Sequence, residues 1–111
     1  METKRPDAIV TDLDGTLLGP DKQVGERDAA AIRRLTRLGI PVVPGTGRPI
    51  FGIGPLMEEL GLELALCSNG GSCYDFGRRE LVFAQTIPEG TLRRLVDWML
   101  EKGVRCMLHT P

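Results

Sequence analysis

The sequence has little that would announce a partner by charge or a membrane by hydropathy. Fourteen Lys and Arg stand against fifteen Asp and Glu, a formal net charge of −1 over 111 residues. Without a basic excess there is no electrostatic footprint for a polyanion, so neither nucleic acid nor an anionic membrane surface is expected as a partner. No apolar run approaches the roughly 18 residues that a membrane-spanning helix needs. The opening segment, Met1 to Asp7, is charged, contains Pro6 and lacks the apolar stretch of a secretory leader. The cytoplasm is the expected location. Cys67, Cys73 and Cys106 are odd in number and show no Cys-x-x-Cys spacing. That argues against a disulfide framework or a zinc site and leaves three small, mostly buried apolar side chains. His109 is the single histidine and receives no role. Internal repeats and low-complexity tracts are absent.

What is present is ordinary globular material: 41% hydrophobic and 26% charged residues. The length bounds the chain to one domain or a piece of one, able to bury about two-thirds of its unfolded surface. Ala8 to Leu13 is a short β-branched and apolar run that reads as a buried parallel strand. From Glu26 the pattern turns helical: Ala29, Ile32, Leu35 and Leu38 recur on one face, and Gly39 and Pro41 supply the stop. Val42 and Val43 form a second strand candidate, Pro49 to Leu60 a weaker helix ended by Gly61, and Leu64 to Ser68 a third strand. Ser72 to Asp75 and Leu81 to Gln85 flank a turn containing Gly77 and read as a β-hairpin. After Pro88, the spacing of Leu92, Leu95, Val96 and Met99 gives the clearest helix, closed by Gly103, with a further strand expected over Val104 to Leu108. Alternating strands and helices predict an α/β fold with a Rossmann-like parallel sheet. Residues 1–87 form one unit and residues 88–111 the beginning of a second.

Chemistry concentrates at the strand ends. Residues two apart in a strand share a side, so Asp12-Leu13-Asp14 can aim two carboxylates at one spot, and Gly15 lets the backbone turn beyond them. Open α/β sheets bind ligands at the carboxyl ends of their strands. Two converging carboxylates repel, and Mg²⁺, which takes oxygen ligands, is the natural neutraliser. An ordinary acidic turn is the competing explanation. An EF-hand is disfavoured because Thr16 and Gln23 occupy positions where its loop wants an acid or amide and a Glu.

Gly45-Thr46-Gly47-Arg48-Pro49 closes the second strand candidate. Thr46 offers a hydroxyl, Gly47 lets backbone N–H groups approach a phosphate, and Arg48 can add charge. The string is neither a Walker loop, since no Gly-Lys-Ser/Thr follows, nor a dinucleotide fingerprint, since Ile50 holds the third glycine position. A plain glycine turn competes here too. Ser68-Asn69-Gly70-Gly71 is first a turn signal, with a polar contact from Asn69 or Ser68 to a ligand as the alternative.

Taken together, Asp12-Leu13-Asp14-Gly15-Thr16-Leu17-Leu18, Thr46-Gly47-Arg48-Pro49 and Asn69-Gly70-Gly71, followed by Tyr74-Asp75 and Gly77, resemble the haloacid dehalogenase-like superfamily, and within it the Cof-like phosphatases. The resemblance implies a Mg²⁺-dependent hydrolase of small phosphomonoesters, sugar phosphates among them. It implies Asp12 as nucleophile, forming an aspartyl-phosphate, and Asp14 as general acid and then base. Asp12 and the Asp14 backbone carbonyl would hold Mg²⁺, while Thr46 and Gly47, with Arg48 and Asn69, would bind the phosphoryl group. The family's later lysine and Gly-Asp…Asn-Asp motif find no counterpart here, and Lys102 is not assigned the lysine role. The chain is therefore expected to represent the amino-terminal part of such a core plus the start of an inserted α/β cap. Its first strand would keep an open edge, favouring self-association or pairing with a complementing segment. The alternative function is a non-catalytic interaction module that keeps the fold. A phospho-acceptor receiver domain is disfavoured because Cys67-Ser68-Asn69 stands where its aspartate would be.

Overall fold

Strand β1 (Ile9–Thr11) runs parallel to β2 (Val42–Pro44), with Ile9 opposite Val42 and Thr11 opposite Pro44 in the computed structural model, which describes residues 3–111. Met1 and Glu2 of the charged opening segment lie outside those residues. Helix α1 (Glu26–Arg37) makes the crossover between the two strands. Its sequence dictates it: Glu26 and Asp28 sit in the first turn and Arg34 and Arg37 in the last, the order that the helix dipole favours. Ile32 points into the core with Ala29 and Leu35 packed beside it. Beyond the helix the Ile40 amide donates to the Leu35 carbonyl at 3.0 Å, while Gly39 takes φ +74°, a left-handed conformation that a Cβ would oppose.

A turn at Ile50–Gly52 leads into α2 (Gly54–Leu60), which Gly61 closes at φ +65°. Strand β3 (Leu64–Cys67) then lies alongside β2 in parallel, joined where Gly45 meets Leu66 and the Thr46 amide donates to the Leu66 carbonyl at 2.9 Å. From β3 the sheet changes direction. Strand β4 (Ser72–Asp75) pairs antiparallel with β3, and β5 (Glu80–Ala84) antiparallel with β4, with a register shift between Cys73 and Tyr74. The hydrophobic centre lies between this sheet and the two helices, around Leu13, Ile32, Ile53, Met57, Leu60 and Ala65. The architecture is the expected α/β one: a parallel sheet with helices, extended by an antiparallel hairpin.

Helix α3 (Glu89–Glu101) forms where the periodicity put it, yet none of its residues is buried. Three expectations fail. Val104 to Leu108 is not a strand; it runs on without secondary structure and exposed. Apolar, β-branched sequence alone does not make a strand, because its backbone needs a ladder partner, and the segment has none among the described residues. Likewise Cys106 is exposed, while Cys67 and Cys73 are buried as expected. The first strand is also shorter than Ala8 to Leu13, since only Ile9–Thr11 finds a partner on β2. Among the described residues the outer edge of β1 is unpaired, and Val10 is 63% exposed.

Met57, fully enclosed between α2 and the sheet, tests where the stability resides. Met57→Ala should lower the unfolding free energy by about 2–5 kcal/mol, whereas exposed Val104→Ser should change it by less than about 0.5 kcal/mol. Urea unfolding followed by circular dichroism measures both.

Candidate active site

Because β1, β2 and β3 are mutually parallel, their carboxyl ends emerge on one side of the sheet. The ladder continues one step past β1 and β2: the Gly45 amide donates to the Thr11 carbonyl at 2.8 Å. Asp12 is the next residue along one strand and Thr46 the next along the other. Leu13 is fully buried, and its neighbours Asp12 and Asp14 are exposed and half-buried respectively. Anchoring Leu13 inward therefore turns both acids out of the core. The Leu18 amide then returns to the Leu13 carbonyl at 2.9 Å, and Gly15 makes the bend at φ +76°.

The two carboxylates have different partners. One oxygen of Asp12 accepts the Leu13 amide at 2.7 Å, and the other takes no hydrogen bond among the described residues. Asp14 is gripped by Arg48 in a fork: Nε to Oδ2 at 2.7 Å and Nη2 to Oδ1 at 2.6 Å. Lys22 adds a third donor, Nζ to Oδ1 at 3.1 Å. The Arg48 hydrogen bonds, then the Lys22 one, hold the Asp14 carboxyl well below the ordinary carboxylate range, and Asp14 in turn pushes the Arg48 guanidinium upward.

Thr46 is almost fully buried, and its Oγ1 accepts the Arg48 amide at 3.0 Å, which fixes the turn. The third loop is laced to the second: the Asn69 amide donates to the Thr46 carbonyl at 3.0 Å and the Ser68 amide to the Arg48 carbonyl at 2.9 Å. Ser68 and Asn69 both adopt left-handed backbone, at φ 51° and 55°. Asn69 Oδ1 lies where a Cβ on Gly47 would be only 2.9 Å away, so a side chain at Gly47 would displace the amide. Asp12, Asp14, Thr46, Gly47, Arg48 and Asn69 thus belong to three loops hydrogen-bonded into one face.

Sequence reasoning missed Lys22. It sits at φ 62° in the tight turn between Leu18 and Val24, where the Gly19 amide donates to the Gln23 carbonyl at 3.0 Å. The single basic residue of a polar turn just after two acids was the available signal. For Arg48 the sequence suggested a phosphate ligand; its guanidinium rests instead on Asp14, with Nη1 3.5 Å from the Gly52 carbonyl.

No group of three Asp, Glu, His or Cys among the described residues could hold a metal. The oxygen donors on offer are the Asp12 carboxylate and the Asp14 carbonyl, since the Asp14 carboxylate is engaged by two cations. A set this small suits Mg²⁺, which keeps several waters and takes the rest from one or two carboxylates and a phosphate.

The sequence profile of the haloacid dehalogenase-like hydrolases matches residues 9–111. Among curated proteins, the chain is 30% identical over 102 residues to a 5-amino-6-(5-phospho-D-ribitylamino)uracil phosphatase of Bacillus subtilis, covering 92% of this chain and 35% of that protein. It is 29% identical over 102 residues to a pyridoxal phosphate phosphatase of Escherichia coli, covering 91% of this chain and 38% of that one. Among solved structures, a haloacid dehalogenase-like hydrolase from Bacteroides thetaiotaomicron superposes with TM-score 0.80 at 29% identity, over 89% of this chain and 39% of that one. One from B. subtilis superposes with TM-score 0.79 at 31% identity, over 88% and 34%. The chain spans little more than a third of the length of these relatives.

The Arg48–Asp14 contact makes acid stability testable. The folded Asp14 carboxyl titrates below its ordinary 3.8, so the contact's stabilisation is fully present above that value and is lost as pH falls towards the folded one. Asp14→Asn should remove this component, narrowing the gap between variant and wild type as pH drops from about 6 to about 3. Urea midpoints across that range give the comparison; a gap independent of pH would contradict the assignment.

Proposed function

The chain belongs to the haloacid dehalogenase-like hydrolases, and on that premise we propose that it carries the nucleophilic half of a phosphatase site for small phosphomonoesters. The observation behind this reading is the joining of three loops at the carboxyl ends of parallel strands, with Asp12 beside the Thr46–Gly47 turn through the Gly45–Thr11 hydrogen bond. Asp12 has the exposure and the open oxygen of a nucleophile. Its oxygen attacks phosphorus, the ester P–O bond breaks, and an aspartyl-phosphate forms. Asp14 gives the departing alkoxide its proton and later takes one from the water that hydrolyses the acyl phosphate. The Thr46 hydroxyl and the Gly47 amide hydrogen-bond the phosphoryl oxygens, where charge gathers in the transition state. The Asp12 carboxylate and the Asp14 carbonyl would hold Mg²⁺, which would supply charge neutralisation between nucleophile and phosphate.

Arg48 and Lys22 favour the ionised form of Asp14, which is the form that activates water. To act as an acid, Asp14 must be protonated, and a neutral carboxyl cannot accept two strong bonds from a guanidinium. Asp14 therefore enters the first half-reaction protonated and released from the Arg48 fork, which re-forms once the proton has passed to the alkoxide. Asn69, lodged against Gly47, orients the phosphate-binding turn and can itself reach a phosphoryl oxygen.

Small phosphorylated compounds as substrates follow from the named activities of the relatives, which include phosphatases of a ribitylaminouracil phosphate and of pyridoxal phosphate. We place sugar phosphates in the same class. No helix among the described residues is long and apolar enough to cross a membrane, and we propose action in the cytoplasm. The open edge of β1 invites one more strand, from a complementing segment or from a second copy. Residues 88–111 are proposed as the start of a separate cap unit, consistent with the lack of burial in α3.

Beryllofluoride with Mg²⁺ mimics an aspartyl-phosphate and tests the site without requiring turnover. Binding measured by ¹⁹F NMR should be seen with wild type, vanish in Asp12→Asn, and weaken at least about tenfold in Thr46→Val, the range expected for losing one buried donor to an anion. Absence of Asp12-dependent binding would instead identify a non-catalytic module.

A further inference from the structure

Away from the three site loops, a second concavity opens between residues 50–61 and the β4–β5 hairpin, a cleft of about 760 Å³. That is the size of a small-molecule site, which typically encloses about 300–1,000 Å³. Three of its lining side chains are aromatic. Tyr74 and Phe76 meet edge to face on the hairpin wall, with ring centroids 4.9 Å apart and planes at 73°. Phe51, 73% exposed, belongs to the other wall. The Phe76 amide donates to the Glu63 carbonyl at 2.6 Å, which ties this end of the hairpin to the start of β3. The charges of the lining are unbalanced. Glu58 and Glu63 both border the cleft, and neither carboxylate makes an ion pair among the described residues. Glu63 lies against Gly77, where an added Cβ would stand 3.4 Å from its Cγ and Cδ. Glu58 sits with Glu59 in the last turn of α2, and that turn carries no basic residue. Acids at a helix's carboxyl end oppose its dipole, the reverse of the order in α1. Such a placement costs the fold stability and favours a bound cation. Among the described residues the only cation lining the cleft is Arg79, exposed on the hairpin turn, from where its long side chain can extend into water.

We propose that this cleft binds a small organic cation, an amidinium, guanidinium or alkylammonium group carried on an apolar body. The cationic group meets the negative charge of Glu58, Glu63 and the end of α2, while the apolar body lies along the three rings. Aromatic faces carry the negative side of the ring quadrupole, so one surface both attracts the charge and shelters the hydrocarbon. Met57 and Leu62, both buried, supply the apolar base. An anion meets two carboxylates there, and a neutral ligand gains only the apolar contact. The cleft shares no residue with Asp12, Asp14 or the Thr46–Arg48 turn, so the inference does not rest on the phosphatase reading.

Benzamidine and benzamide test this as a pair, since they share a shape and only the first is charged. In NMR titrations of the chain at low salt, benzamidine should shift the Tyr74 and Phe76 ring protons and the Gly77 amide. It should bind about three- to tenfold more tightly than benzamide, the ratio expected for exposed cation–ring and carboxylate contacts. Glu58→Gln combined with Glu63→Gln should bring that ratio below about twofold and leave benzamide binding unchanged. Both positions are exposed and the replacements keep the side-chain shape, so loss of fold does not confuse the result. Equal affinities for the two compounds would overturn the cation site. So would shifts confined to the Asp12–Asp14 loop, a ratio untouched by the double variant, or no binding of either compound at millimolar concentration. Asp12→Asn should leave benzamidine binding intact while abolishing that of beryllofluoride, so the two sites stand or fall separately.

Discussion

The parallel register between β1 and β2 is the constraint on which the rest of the site depends. Neighbouring strands lie about 4.8 Å apart, so the pairing of Thr11 with Pro44 puts the acidic loop and the Thr46 turn within reach of one phosphoryl group. A slip of one residue would exchange faces, sending Leu13 out to water and both carboxylates inward. Several contacts oppose that slip. Leu13 is enclosed in the core, the Gly45–Thr11 hydrogen bond extends the ladder past the strands, and Val10 Cγ1 packs 3.3 Å from where a Cβ on Gly45 would stand. A Cβ at Gly45 would press on that methyl, which would have to give way by a few tenths of an ångström. The same tight packing carries Thr46 to the loop of β3, so that hydrophobic placement and phosphate-site geometry are one feature of the sheet.

On this frame the electrostatics are asymmetric, and the asymmetry suits two carboxylates with different tasks. Asp12 accepts one backbone amide and keeps an oxygen open. Asp14 accepts three charged donor contacts from two residues. A guanidinium matches a carboxylate in plane and spacing, which a lysine in the Arg48 position could not reproduce. Lys22, more exposed and reaching with a single bond, adds charge with less geometric demand. The Arg48–Asp14 fork is thus the contact that sets the direction of the Asp14 carboxyl. It also joins the loop of β1 to that of β2 through side chains, beside the backbone ladder that already does so.

Much of this was legible in the sequence, for reasons that differ by element. Helices α1 and α3 announce themselves because their periodicity and closing glycines are local signals, to which α1 adds its charged ends. The placement of Asp12, Asp14 and Thr46 at the ends of neighbouring strands was legible because each follows a short apolar run. The partner of Arg48 was not, because Asp14 lies 34 positions away and no local pattern encodes that distance. Lys22 was hidden for a related reason: its left-handed backbone aims the side chain back at Asp14, and a lysine gives no sign of adopting that conformation. The strand readings held at β2 to β5 within a residue, but one was too long and one stands where no strand exists. Ala8 to Leu13 and Val104 to Leu108 have strand-like composition, but pairing decides strand length, and composition carries no information about partners.

The distribution of burial then separates the chain into parts of unequal security. Residues from β1 to β4 enclose a core and tie their loops together by backbone hydrogen bonds. Beyond them, β5 exposes Leu81, Val82 and Phe83, and α3 leaves Leu95 exposed and Leu92, Val96 and Met99 only half-buried. An amphipathic helix draws most of its stability from packing that stripe, so α3, with none of its residues fully buried, gains less from packing than α1 does. The dimensions agree: the radius of gyration is 17.1 Å, against about 13 Å for a compact chain of this length. Local opening should therefore begin in α3 and the segment after it, while the Asp12–Thr46 face persists.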